Sequence, residues 1–188
     1  MNWDRMAEDL LAVVEEVIGG LRGPVEELAS EIAARLRAGG KVLACGNGGS
    51  AADAQHLAGE LMNRFLKERR PYAGIALSTD TSVLTSIAND YSFAEVFEKQ
   101  VRALGRRGDV LIAISTSGNA ENVCRAVKAA KDLGLLTVGL TGGSGGKLRP
   151  LVDRPLCVAS TAATPRIQEG HQLIIHALCE RLEELLES

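Results

Sequence analysis

Apolar residues recur at helical spacing across residues 4–18, at Met6, Leu10, Val13, Val14 and Val17. That spacing describes a helix with one buried face. Gly19 and Gly20 close the run, and Pro24 suits the first turn of a second helix. The second helix carries Leu28, Ile32 and Leu36 on one side and reaches about Arg37, where Gly39 and Gly40 stop it. Two helices ahead of any strand signal predict an N-terminal helical hairpin over residues 1–38.

From Lys41 the period changes. Five short apolar runs follow, at 41–45, 73–77, 109–114, 136–140 and 155–159, each bounded by glycine or polar residues. Helical patterns fill the intervals at 51–70, 81–88, 93–104 and 119–133, and a last one runs from about Pro165 to Glu184. Strands apolar on both faces that alternate with helices predict an α/β fold, a three-layer sandwich around a mostly parallel five-stranded sheet. No repeat or linker interrupts the pattern, so residues 1–188 are expected to form one domain, with the N-terminal helices at 1–38 and the α/β core and final helix at 39–188.

Composition narrows the class. With 46% apolar and 24% charged residues the chain is an ordinary globular protein. A formal net charge of −3 argues against a general nucleic-acid partner. The local cluster Lys67, Arg69 and Arg70 reads as a solvated helix end. No apolar run approaches membrane-spanning length and the N-terminus lacks a signal-peptide pattern, so no membrane partner and a cytoplasmic location are expected. Cys45, Cys124, Cys157 and Cys179 are far apart within apolar stretches, as buried thiols in a reducing compartment would be.

Ligands of an open parallel sheet collect beyond the carboxyl ends of its strands. Three such ends carry small polar loops, at 46–50, 115–119 and 141–146, and these hold eight of the 20 glycines. The first matches the dinucleotide spacing G-x-G-x-x-A through Gly46, Gly48 and Ala51. That fingerprint needs an acidic ribose ligand at the end of the next strand. Glu68 lies inside a helical pattern and Asp80 lies too far along, so a nucleotide site is disfavoured. The third loop has Leu148 after Lys147, where a phosphate-binding P-loop requires Ser or Thr, and reads as a turn. The second, "STSGN", offers three hydroxyls and backbone amides at a helix N-terminus, a cradle for a phosphate monoester, although the same residues also make an ordinary helix cap.

Four segments, "CGNGGSAADAQHLAGELMNRF", "SIANDYSFAEVF", "GDVLIAISTSGNAENV" and "RIQEGHQLIIH", stand in one order over about residues 40–180. Together they resemble the sugar isomerase (SIS) domain family. Within it they resemble the branch that interconverts sedoheptulose 7-phosphate and D-glycero-D-manno-heptose 7-phosphate for lipopolysaccharide or surface-glycan heptose. The resemblance implies a flavodoxin-like sandwich, a homotetramer with active sites at subunit interfaces, and zinc as cofactor. It also implies that Asn47, Gly48, Gly49 and Ser50 meet a phosphorylated sugar, together with Asn89, Asp90, Glu60 and Gln168. Ser115, Thr116 and Ser117 would hold the phosphate, and Glu60 and His176 would be catalytic base and acid. His56, Glu60, Gln168 and His176 would bind the metal. Ala120 departs from the family, which commonly has Ser there.

The residues suit this chemistry. Moving a proton between adjacent carbons through an enediol needs a base at carbon and an acid that relays protons at oxygen. His56 and Glu60, four apart, share a helix face with Cβ atoms about 6 Å apart, which suits one N and one O ligand or equally a plain salt-bridged pair. Gln168 and His176 are eight apart, about 12 Å along a helix. Either the segment near Pro165 is irregular or the two residues serve one site from different subunits. His171, which no matched motif requires, reads as a partly exposed helix residue. Two alternatives stand beside the heptose isomerase. One is a non-catalytic SIS-domain protein that binds the replication initiator. The other is an isomerase of a different sugar phosphate, such as arabinose 5-phosphate.

Overall fold

The apolar runs become five parallel strands in a computed structural model that describes residues 2–187; Met1 and Ser188, the outer limits of the expected domain, lie outside it. The strands are β1 (Val42–Gly46), β2 (Gly74–Ala76), β3 (Val110–Ser115), β4 (Leu136–Gly142) and β5 (Arg154–Val158). Their order across the sheet is β2-β1-β3-β4-β5, and every pairing is parallel. The sequence reading therefore holds, and "mostly parallel" becomes wholly parallel among the described residues.

Both faces of the sheet are covered, which is why the strands lack an alternating polar side. Val42 and Ala44 of β1 join Val110, Ile112 and Ile114 of β3 in one core, beneath α2 (Arg22–Arg37), α3 (Gly49–Met62) and α7 (Thr164–Leu186). Leu43, Cys45, Leu111 and Ala113 point the other way, against α5 (Val96–Leu104) and α6 (Glu121–Asp132). Each fully buried Leu or Ile contributes about 1.5–3 kcal/mol relative to an exposed one.

The N-terminal hairpin does not form. α1 (Trp3–Glu16) runs through a π-helical turn (Val17–Leu21) directly into α2, and both helices pack against α7. A glycine stop needs a left-handed backbone after the last helical residue. Neither Gly19 nor Gly20 is among the glycines with positive φ. The extra residues are absorbed as a π-bulge, so helical direction is kept.

α3 also departs from expectation. It begins at Gly49 and ends at Met62, and residues 63–73 leave the helix. Arg69 is therefore not a solvated helix end: its side chain is 2% exposed and paired with Glu183. α4 (Thr81–Asp90) has no buried residue, although Leu84, Ile87 and Ala88 rest against the second core. A single 3-10 turn (Phe93–Glu95) leads from it into α5. No described helix is long and apolar enough to cross a membrane. All four thiols are free; Cys45, Cys124 and Cys179 are buried and Cys157 is half-buried.

Candidate active site

The chain turns outward in opposite directions from β1 and β3, so their carboxyl ends meet at the point where strand order reverses. Open α/β sheets bind ligands in that crevice. The loop after β1 opens α3 and the loop after β3 opens α6, so two helix N-termini face one place, and each favours an anion. The loops are tied together by reciprocal amide hydrogen bonds: Asn47 Nδ2 donates to Asn122 Oδ1 and Asn122 Nδ2 donates to Asn47 Oδ1, both at 2.9 Å. Asn122, which the sequence reading missed, is 3% exposed, and its Oδ1 also accepts from Val123 N.

The loop 115–119 orders itself. Gly118 N donates to Ser115 O, Asn119 N to Ser117 Oγ, and Asn119 Nδ2 to Ser117 O. Gly118 has φ +66°, and a Cβ there would lie 2.0 Å from Gly145 O, so no other residue fits. The third loop thus buttresses the second: Gly142 N donates to Thr116 O and Leu148 N to Gly118 O. Its role as a turn is confirmed. Ala120 occupies the N-cap of α6 and provides no side-chain cap.

α3 and α7 lie side by side and run the same way. At their start Gln168 packs on Gly49, where a Cβ would stand 2.0 Å from Gln168 Nε2. Two turns on, His56 Nε2 and His176 Nε2 are 2.9 Å apart, and Glu60 Oε1 is 3.3 Å from His56 Nε2. Phe65, just past α3, stacks obliquely on His176 with ring centroids 5.6 Å apart. Beyond it Glu183 accepts hydrogen bonds from Phe65, Leu66 and Lys67 N.

This register separates the sequence-predicted residues into two groups. Asn47, Gly48, Gly49, Ser50, Ser115, Thr116, Ser117 and Gln168 belong to the crevice end. His56, Glu60 and His176 meet farther along α3 and α7, Glu60 about 16 Å from Gly49 along the helix axis. Asn89 and Asp90 join neither group. They are exposed at the end of α4, where Asn89 Nδ2 donates to Asp90 Oδ1 at 2.9 Å. α7 is regular from Thr164, so an irregular start does not bring Gln168 to His176.

Among the described residues no group of three or more His, Cys, Asp or Glu side chains is gathered closely enough to hold a metal ion by itself. The separations of 2.9 and 3.3 Å nonetheless come close to the roughly 3.3 Å between ligands about 2.0–2.1 Å from one tetrahedral ion. The donor set of two imidazoles and a carboxylate is one that suits zinc. It fits as an incomplete set that needs a further ligand.

Two more residues mark this region. Asp53 is 5% exposed, and its Oδ2 has no hydrogen-bond partner. It lines a cleft between α3 and α7 with Gly49, Gln168, Glu169 and Gln172. Burial pushes its carboxyl up to about 6, against a smaller opposing pull from His56. His171 is completely buried, contrary to the sequence reading, and its Nε2 donates to Thr141 O at 3.0 Å. Burial depresses its proton affinity, with the Thr141 hydrogen bond acting the other way.

The model of the SIS domain matches residues 6–142. A phosphoheptose isomerase of Rhodospirillum rubrum is 52% identical over 169 residues, covering 90% of this chain and 89% of its own. Among solved structures, a phosphoheptose isomerase from Neisseria gonorrhoeae superimposes with TM-score 0.87 at 46% identity, and one from Francisella tularensis with TM-score 0.91 at 38% identity. In both, 96% of each chain is covered.

Proposed function

This chain belongs to the SIS domain family and is an isomerase of its phosphoheptose branch, acting on a phosphorylated sugar in heptose biosynthesis; from that premise we propose that it converts sedoheptulose 7-phosphate to D-glycero-D-manno-heptose 7-phosphate. The product would feed lipopolysaccharide or surface-glycan assembly. One observation carries the reading: an anion-ready crevice between two helix N-termini accompanies a carboxylate and an imidazole, Glu60 and His176, gathered around His56.

The phosphate binds in the crevice, on the hydroxyls of Ser115, Thr116 and Ser117 and on the amides that begin α6. Asn47, Gly48, Gly49 and Ser50 line the neighbouring wall. Glu60 takes a proton from carbon 1 of the ketose while the carbonyl oxygen at carbon 2 gains one, giving the enediol. The hydroxyl at carbon 1 then loses its proton and carbon 2 receives one, leaving an aldehyde at carbon 1 and no net change in composition. His176 relays the protons at oxygen.

The active site is assembled from two copies of the chain in a homotetramer. Glu60 lies about 16 Å along α3 from Gly49, too far for one chain's crevice and base to grip one short sugar comfortably. His176 is exposed and His56 only partly covered, as ligands completed by a neighbour would be. Gln168 and exposed Asn89 and Asp90 are then contributed across an interface. Under this arrangement His56, Glu60 and His176 of one copy would hold zinc with Gln168 of another. When bound, zinc supplies Lewis acidity toward the sugar oxygens.

The retained pair Glu60 and His176 weighs against the non-catalytic alternative. The assay is direct: turnover of sedoheptulose 7-phosphate by the purified protein, with Glu60→Gln as control. Conversion by wild type and loss by at least about 10³-fold in the variant are expected. No turnover by wild type, or full turnover of arabinose 5-phosphate alone, would sink the assignment.

A further inference from the structure

We infer that the buried Arg69–Glu183 pair is a positioning device for the proton-transfer residues, fixing the end of α3 that carries Glu60 and the loop whose Phe65 ring packs on His176. The inference rests on the reading of Glu60 and His176 given above.

Helix ends leave carbonyls without partners, and the last turn of α3 has no left-handed glycine to satisfy them. Asn63, its C-cap, has φ −95° and ψ −98°. The side chain of Arg69 takes that role. Its Nη2 donates to Glu60 O at 2.5 Å and its Nη1 to Leu61 O at 3.0 Å and Arg70 O at 3.1 Å. A guanidinium at a helix C-terminus also complements the helix dipole. Its planar fork is what lets one side chain hold several carbonyls at once.

The remaining nitrogen, Nε, donates to Glu183 Oε1 at 3.1 Å. The Glu183 carboxylate closes the circuit by accepting from Phe65 N at 2.8 Å, Leu66 N at 2.9 Å and Lys67 N at 3.0 Å. Both side chains are 2% exposed. Desolvation alone would raise the carboxyl of Glu183, but the three amides and Arg69 outweigh it and hold it below its ordinary value. The Glu183 carboxylate is therefore held ionised, with two donors on each of its oxygens.

This circuit touches the proposed machinery twice. It grips the carbonyl of Glu60 itself, and it anchors residue 65, whose ring lies 5.6 Å from that of His176. Glu183 stands seven residues after His176, so both project from one side of α7. The phosphate crevice lies at the opposite end of α3, beyond reach of the pair. Loss of the pair should therefore disturb proton transfer while leaving substrate affinity in place. A base or acid displaced by about 1 Å loses on the order of 10²-fold in rate.

The test compares Arg69→Lys and Glu183→Gln, the second keeping shape and one acceptor, with wild type. Expected is a fall in kcat of about 10- to 100-fold with KM within about threefold, in protein that keeps its wild-type circular dichroism. In Arg69→Ala, added methylguanidinium should restore kcat several-fold. Independently of turnover, the NMR shift of the His176 ring CH should move in both variants as Phe65 is released, whereas that of His171 should not. Unchanged kcat in folded variants, a stationary His176 signal, or unfolding of both variants at assay temperature would overturn the inference; the last would make the pair a determinant of folding only. Wild-type turnover reads the isomerase assignment separately, and the His176 signal reads the positioning role even if that assignment fails.

Discussion

His56 on α3 and His176 on α7 bring their Nε2 atoms to 2.9 Å, while Gln168, two turns earlier on α7, lies against Gly49. The two imidazoles therefore stand close enough to share a proton or an ion, and Gln168 of the same chain does not. Zinc bound there should depend on both histidines. The protein as purified is expected to hold about one zinc per subunit, read by elemental analysis. His56→Ala and His176→Ala should each weaken retention by more than about tenfold, read by competition with a chromogenic chelator. Full zinc content in either variant would remove it from the ligand set.

The separation of Gln168 from His176 leads to a second expectation. If one site takes Gln168 from one copy and His176 from another, two inactive variants can repair each other. Gln168→Ala and His176→Ala, unfolded together and refolded as a mixture, should regain about a quarter of wild-type activity, the share of sites that draw both intact residues in a symmetric assembly. Each variant refolded alone should stay near zero. No recovery in mixed assemblies of confirmed composition would confine the site to one chain.

Much of this arrangement is legible before folding, because its signals are local. Strands buried on both faces show up as short apolar runs, and loops at their ends as clusters of glycine and hydroxyl residues. His56 and Glu60 are readable as a pair because four residues bring them onto one helix face. What escapes is set by distant partners. Nothing near Arg69 announces Glu183, 114 residues away, so its cluster looks like an exposed helix end. The one available signal was Glu183 itself, an acid on the same stripe of α7 as Ile175, Leu178 and Leu182. His171 hides in the same way, since only the fold supplies Thr141 O as its partner. Gly19 and Gly20 mislead for another reason: glycine permits a left-handed stop but does not impose one.

Ala120 predicts a gain. It is the N-cap of α6, has extended backbone angles of φ −65° and ψ 116°, and offers no side-chain oxygen. Ala120→Ser should add about 1 kcal/mol by capping, which at this chain length raises Tm by about 2–4 °C. The same hydroxyl would stand at the entrance of the phosphate loop and should lower KM for the sugar phosphate by a few-fold, the net worth of one ordinary hydrogen bond, ~0.5–1 kcal/mol. A higher Tm with unchanged KM would separate the cap from the ligand.

Asp53 predicts the pH dependence of stability. It is nearly buried, without a partner at Oδ2, and its carboxyl is raised from 3.8 to about 6 by burial, the charge of His56 opposing. Glu169 is the other titratable group that lines the cleft, with Gln168 and Gln172 beside it. The folded state therefore binds the Asp53 proton more tightly than the unfolded state. Between about pH 3.8 and 6 the folded chain carries the extra proton, so this residue's contribution to stability falls as pH rises through that window. Below the window the carboxyl is neutral in both states and carries no charge penalty; above it the full penalty of burying the charge is present. Asp53→Asn keeps the shape and removes the charge. At pH 7.5 it should stabilise the protein by about 1–3 kcal/mol, using 1.36 kcal/mol per pH unit and allowing for solvent in the open cleft. The advantage should shrink steadily on acidification and vanish near pH 4, which urea unfolding of both proteins across that range measures. A variant equally stabilised at pH 4 and pH 7.5 would mean that packing, not ionisation, accounts for the difference.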